Sequence, residues 1–295
     1  MARTAQGTIT IMGCEIPITN PDKPLWPEAG ITKAIYLEKL ALLAPYLLKY
    51  CRNRLLTVIR WPHGIHGKFF YQKNAPVPRP EYISTYRDGD IEYIVLNELP
   101  QLLWLGNQAA LEFHPSLHDV GSILPREWII DLDPTLEIEP RIMEAASLVD
   151  DVLRSLGIAS VAKTSGATGV QIIVPIHQGI TFDELRSVGH LVGRYVTEKH
   201  PKLFTIERLK KDRGTCIYFD YLQHYAGKTI AAPYTPRARA GATVSTPLTW
   251  AEVRQNVSPL DYHLLNIEER LGKLGDLLDS LPPQPLEPII RQLKK

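Results

Sequence analysis

Trp128-Ile129-Ile130-Asp131-Leu132-Asp133-Pro134 places the strongest constraint on how this chain folds, because it reads as a buried strand that ends in two carboxylates. Successive side chains alternate across a strand, so Asp131 and Asp133 project together while Leu132 points into the core. Two like charges on one face raise each other's pKa unless a positive group stands between them. Hard divalent cations prefer oxygen ligands, and a pair of Mg²⁺ or Mn²⁺ ions about 3.5–4 Å apart is the usual solution in phosphoryl-transfer enzymes. An Asp-x-Asp behind a strand is equally often a polar loop start or a helix cap. A metal site of this kind needs a third carboxylate, and Ile217-Tyr218-Phe219-Asp220-Tyr221, a second short β-prone run, supplies Asp220.

The rest of the chain offers no competing metal chemistry. Cys14, Cys51 and Cys216 lack the paired spacing of a zinc site or disulfide framework and read as reduced packing residues, and the histidines form no H-E-x-x-H motif. With 295 residues, 44% of them hydrophobic, there is enough chain for one large domain or two packed modules. No run approaches the roughly 18 uninterrupted apolar residues of a membrane span, and no hydrophobic signal region follows Met1. A cytoplasmic protein without a membrane partner is expected.

Net charge is only +1, but its distribution is uneven. Between Glu38 and Glu81 there is no acidic residue, while Lys39, Lys49, Arg52, Arg54, Arg60, Lys68, Lys73 and Arg79 all fall there. Between Asp220 and Glu252, Lys228, Arg237 and Arg239 again stand without acidic company. Carboxylates that gather metal beside basic zones that hold phosphate suit an enzyme acting on polyphosphate or DNA; two ordinary solvated faces give the same pattern.

Thr32 is a plausible N-cap for a helix carrying Ile35, Leu37, Leu40, Leu43, Leu47 and Leu48, which puts Lys33 in a first turn where it opposes the dipole. That placement makes sense where an anion docks at the helix start. Lys68-Phe69-Phe70-Tyr71-Gln72-Lys73-Asn74 interleaves aromatics with lysines, as in a base-stacking platform or an amphipathic edge strand. A helix is expected from about Glu139 to Leu156, stopped by Gly157. Lys163-Thr164-Ser165-Gly166-Ala167-Thr168-Gly169 forms a small-residue loop before the strand Val170–Val174. It is not a P-loop, because no Gly-Lys-Ser/Thr ends it. Thr181 and Glu184 form a capping box for a helix reaching about Lys199. Irregular alternation of strands and helices, with the metal-type carboxylates on strands far apart in sequence, predicts an α+β architecture with antiparallel or mixed sheets flanked by helices.

Several ordered motifs carry a family likeness: Thr19-Asn20-Pro21-Asp22-Lys23, Arg60-Trp61-Pro62-His63-Gly64, Phe70-Tyr71-Gln72-Lys73, Ala110-Leu111-Glu112-Phe113-His114 and Ala232-Pro233-Tyr234-Thr235-Pro236-Arg237-Ala238-Arg239. Through nearly its whole length the chain resembles the polymerase domain of bacterial ligase D, a branch of the archaeo-eukaryotic primase superfamily that acts in non-homologous end joining. The resemblance implies a primase-polymerase fold over 1–295, with a DNA-contacting module at 1–120 packed on a catalytic module at 121–295. It implies that Asp131, Asp133 and Asp220 bind two Mn²⁺ or Mg²⁺ ions. His114, Ser165, Gly166, Thr168, Gln171, Arg213, Gln223, Arg237 and Arg239 are implied around the incoming nucleoside triphosphate. Asn20, Lys23 and Lys33 match residues that recognise a downstream 5′-phosphate, Phe70 and Tyr71 aromatics that stack on the template, and Arg60 and Lys73 fall to the DNA backbone.

Three positions depart from the family pattern. Its second motif commonly reads Ser-Gly-x-Lys-Gly-x-His, and here Thr168 replaces the lysine and Gln171 the histidine. Ile59 also stands where some relatives carry a basic residue. The expected activity is template-dependent extension of a primer 3′-hydroxyl at DNA gaps and broken ends, with a family preference for ribonucleotides. A monomer is expected, working beside Ku and a separate ligase. A primer-independent primase and a catalytically weak DNA-end-binding module that recruits Ku or ligase are the alternatives.

Overall fold

The computed structural model describes residues 5–294. Strands β1 (Ala5–Ile11), β2 (Cys14–Thr19), β3 (Pro24–Trp26) and β4 (Ile31–Thr32) lead into helix α1 (Lys33–Cys51). Next come β5 (Arg54–Arg60), β6 (Phe70–Gln72), β7 (Thr85–Asp88), β8 (Ile91–Val95), α2 (Leu99–Asn107) and β9 (Ala110–Asp119). Then follow β10 (Glu127–Pro134), α3 (Ile142–Ser155), β11 (Val161–Thr164), β12 (Val170–Pro175), α4 (Phe182–Lys199), β13 (Phe204–Thr205) and β14 (Ile217–Asp220). The chain closes with β15 (Pro247–Leu248), α5 (Trp250–Arg254), α6 (Ile267–Leu274) and α7 (Glu287–Leu293). This is an α+β fold.

Two compact units result. The first runs to Ser116 and takes back Thr229–Ser245 and Tyr262–Lys273; the second holds Leu117–Lys228, Thr246–Asp261 and the chain from Leu274 onward. The returning segments put Arg237 and Arg239 in the first unit.

In the first unit, β6, β5, β8 and β7 pair in that order and β9 also pairs with β5. Its core joins Trp26, Tyr36, Leu40, Leu47, Leu105 and Phe113 to Tyr234, Ala242, Val244 and Leu264, so the returning segments complete it. Helix α1 starts as its sequence dictates, the Thr32 hydroxyl accepting from the Ile35 N–H (3.5 Å).

The second unit is built on a six-stranded sheet in the order β13-β14-β10-β12-β11-β15, antiparallel except for the parallel β13/β14 pair. The apolar run of β10 makes it an interior strand: Trp128, Ile129, Ile130 and Leu132 are buried, and the half-buried Asp131 and Asp133 share one face, opposite Trp128, Ile130 and Leu132. Thr181 and Glu184 make the expected capping box of α4. Gly157 takes a positive φ (73°) just beyond α3. That helix begins at Ile142 rather than Glu139, because the Glu139 carboxylate is engaged by the Arg141 side chain and backbone N–H. Arg141 in turn donates to the Lys202 and Thr215 carbonyls.

His224 is wholly buried, and its Nε2 accepts the Ile129 N–H (2.7 Å). Burial pushes its pKa down from 6.5 to about 4. The folded ring stays neutral while the unfolded ring gains a proton below about 6.5, so stability falls as pH drops from about 6.5 to about 4. Denaturant titrations across that window check this, with His224→Gln showing a weaker slope.

Candidate active site

Pairing in the second unit brings together side chains that the sequence keeps far apart. Asp131 lies opposite Gln171 of β12 on one side and Asp220 of β14 on the other, and Gln171 lies opposite Lys163 of β11. Residues opposite one another share a face. Lys163, Gln171, Asp131 and Asp220 therefore form one row across four strands, with Asp133 two residues along β10.

Electrostatics follow from that packing. Burial, then the neighbouring Asp220 and Asp133 charges, push the Asp131 carboxyl up to about 7, while the Gln171 hydrogen bond and Lys163 pull the other way. Gln171 Nε2 donates to Asp131 Oδ1 (3.2 Å). Asp133 Oδ2 pairs with Arg213 (3.1 Å), whose guanidinium also lies 3.9 Å from the Tyr218 ring centroid and donates to the Glu207 and Arg208 carbonyls. Asp220 Oδ1 accepts from the Tyr218 hydroxyl (3.1 Å) and the Leu222 N–H (3.0 Å). Burial and the Asp220 charge together raise the Tyr218 phenol well above its ordinary value.

Three carboxylates on one sheet face, mutually repelling, are the donor set that a hard divalent cation satisfies. Among the described residues no three His, Cys, Asp or Glu side chains already converge as ligands. Arg213 holds Asp133 through Oδ2, and Tyr218 and Leu222 hold Asp220 through Oδ1, so each carboxylate is steadied by one of its two oxygens.

The loop after β11 is closed by its serine. Ser165 Oγ accepts from the Ala167 and Gly169 N–H groups (both 3.1 Å), and Gly166 adopts a positive φ (68°). Gly169 packs so closely on β10 that a Cβ there would stand 2.6 Å from the Leu132 carbonyl oxygen. This contact seats the loop beside the two β10 aspartates. Thr168 is half-buried, and Gln223 is buried in the turn after Asp220.

The first unit carries a separate charged cluster. Glu112 Oε2 meets His114 Nε2 (2.9 Å) and Arg237 Nε (3.0 Å), and Oε1 accepts the Ala238 N–H (3.0 Å). Burial alone would raise the Glu112 carboxyl, but His114, Arg237 and the Ala238 N–H hold it down at about 2. Arg239 is exposed beside this cluster in sequence.

Asn20 and Lys23 share one turn, and Lys33, the first residue of α1, is hydrogen-bonded to it. Asn20 has a positive φ (47°) and its carbonyl accepts the Lys23 N–H, while the Lys33 N–H donates to the Lys23 carbonyl. Lys23 Nζ donates to the Pro62 carbonyl (2.7 Å). The Lys33 ammonium is buried, donating to the Thr19 carbonyl (2.5 Å) and Oγ1 (3.2 Å) and to Asn107 Oδ1 (3.5 Å). On β6, Phe70 and Tyr71 are 44% and 66% exposed, with the Arg60 guanidinium 5.2 Å from the Phe70 ring centroid and Lys73 exposed just beyond. Phe69, also exposed, stacks on Trp61 (5.3 Å between centroids).

Three residues of these clusters were not singled out from sequence: Glu112, Lys163 and Phe69. Glu112 has a readable signal, the Glu-x-His spacing that puts it on the same strand face as His114. Phe69 lay within the aromatic-lysine run. Lys163 had none, because its meaning depends on which strands flank it.

Comparison with known proteins identifies the family. The family model for the LigD primase-polymerase domain matches residues 32–278. The bifunctional non-homologous end joining protein LigD of Bacillus subtilis is 37% identical over 287 residues, covering 95% of this chain and 47% of that protein. The multifunctional LigD of Mycolicibacterium smegmatis is 30% identical over 276 residues, covering 90% and 36% respectively. The chain thus spans half or less of these relatives. The polymerase domain of Mycobacterium tuberculosis ligase D, solved in complex with DNA, superposes with a TM-score of 0.82 at 28% identity, covering 90% of this chain and 97% of that one. With a family model matched over most of its length and a solved polymerase domain sharing its fold, the chain belongs to the LigD primase-polymerase domain family.

Proposed function

We propose that this chain is a template-dependent nucleotidyltransferase that extends a primer 3′-hydroxyl at DNA gaps and double-strand break ends. The observation that carries this reading is the opposition of Asp131 and Asp220 across β10 and β14, with Asp133 on the same face. Asp131, Asp133 and Asp220 would hold two Mn²⁺ or Mg²⁺ ions, which when bound supply activation of the hydroxyl and neutralisation of charge on the α-phosphate and pyrophosphate. Gln171 holds Asp131 from the side, and Arg213 holds Asp133 through Oδ2.

The Ser165–Gly169 loop offers close backbone approach to phosphate, Arg213 borders the acidic face through Asp133, and Gln223 follows Asp220 in the next turn. In the first unit, His114, Arg237 and Arg239 make up a cationic cluster suited to phosphate, with Glu112 holding two of them in place. Phe70 and Tyr71 stack on template bases, and Arg60 and Lys73 contact the DNA backbone. DNA with gaps or broken ends is the substrate, and ribonucleotides are preferred. Joining falls to a ligase with Ku as end-binding partner, in the cytoplasm; no helix among the described residues is long and apolar enough to cross a membrane.

Primer extension on gapped DNA with Mn²⁺, comparing ribo- with deoxyribonucleotides and omitting the primer in a parallel reaction, tests this reading. Product without a primer would turn it toward a primase, and no product with bound DNA toward an end-binding module. Lys23→Ala is expected to erase any preference for a 5′-phosphorylated gap, because the ammonium anchored on the Pro62 carbonyl is the cation of that turn nearest Asn20 in sequence. An unchanged preference in extension assays removes Lys23 from the phosphate pocket.

A further inference from the structure

Lys163 is 0% exposed in β11. An ammonium is kept in an interior only where hydrogen bonds and negative charge replace its lost hydration. It donates to Oε1 of Gln171, and the Gln171 amide nitrogen donates to Asp131 Oδ1. The three stand side by side on adjacent strands, Lys163 opposite Gln171 and Gln171 opposite Asp131.

An amide has one acceptor end and one donor end. With an ammonium on one side, the oxygen must face it, because the alternative sets donor against donor. The NH₂ is then turned toward the carboxylate. We propose that Lys163 is a positioning residue for the acidic site, acting through Gln171: it fixes the direction of that amide and thereby the orientation of the Asp131 carboxylate. This rests on Asp131 being a cation ligand. It also gives Gln171, which stands where the family motif has a histidine, a task directed at a carboxylate rather than at a phosphate.

Positioning and simple charge repulsion carry opposite signs. As a bare positive charge Lys163 would oppose a cation, and its removal would tighten binding. As an orienting group it supports binding, and residues that orient a metal ligand from behind typically contribute about 10–100-fold in affinity. Without it the amide is free to turn its oxygen toward Asp131, where two acceptors repel.

Titration of the whole chain with Mn²⁺ alone, followed by electron paramagnetic resonance, separates the two. Lys163→Met keeps the apolar stem and removes the charge. The Mn²⁺ dissociation constant is expected to rise roughly 10-fold in Lys163→Met and in Gln171→Met, with no further loss in the double variant, since both break one chain of contacts. Lys163→Gln, which retains a donor toward Gln171, stays within about twofold of the parent, and it decides the question together with Gln171→Met if Lys163→Met does not fold. Unchanged or tighter binding in Lys163→Met, additive losses in the double variant, or a full loss in Lys163→Gln overturns the assignment. Absence of Mn²⁺ binding by the parent chain would instead remove Asp131 as a ligand and count against the polymerase reading itself.

Discussion

Replacing Asp131 by alanine is expected to abolish primer extension, by on the order of 10³-fold or more, because on the proposed reading several kcal/mol of charge stabilisation depend on a cation held by that carboxylate. The fold should not suffer. Asp131 is held close to Asp220 and Asp133 with its carboxyl pushed up to about 7, so its removal relieves repulsion that the metal-free protein must carry. We expect a melting temperature equal to or above that of the parent, with gapped-DNA affinity retained through the β6 aromatics, Arg60 and Lys73. Rapid extension by the variant, or loss of DNA binding in step with activity, would sink the assignment.

The second large effect falls on a residue with no direct part in chemistry. Glu112→Ala removes the carboxylate from between His114 and Arg237, leaving a largely buried guanidinium without that countercharge. Breaking a buried pair in this way costs about 3–5 kcal/mol, and less here in proportion to the residual exposure of Arg237. The Michaelis constant for nucleotide should rise about 10-fold, as expected when a binding contact worth about 1.4 kcal/mol is lost. The same group makes a pH prediction. With Glu112 held at about 2 in the folded chain against an ordinary 4.5, the unfolded state binds more protons between those values, so stability is lost as pH falls through that interval. Thermal melts from pH 5 to pH 2 should show this for the parent and a flatter course for Glu112→Gln.

How much of this was legible in the sequence depends on whether the determinant is local. Strand alternation exposed Asp131 and Asp133, and caps at Thr32 and Thr181 announced their helices, because each is decided within a few residues. The start of α3 was misplaced by the Glu139–Arg141 pair, whose arginine also binds carbonyls that lie far along the chain. Lys33 was legible as an awkward first-turn lysine, but not as a buried one, since Thr19 and Asn107 reach it only through the fold. The row from Lys163 to Asp220 depends on which strands become neighbours. Lys163 consequently read as the start of a loop, although Thr164 still belongs to β11.

The register of β14 has an evolutionary corollary. A slip of one residue would send Asp220 to the opposite side of the sheet. Yet β14 is pinned from both flanks, Asp220 and Tyr218 against β10 and Ile217 and Tyr218 against β13. Insertions or deletions between Thr205 and Ile217 therefore need not disturb the acidic trio. A change in the length or charge of that connection alters the setting of Arg213, while the spacing of the carboxylates stays fixed by the pairing of β10 with β14.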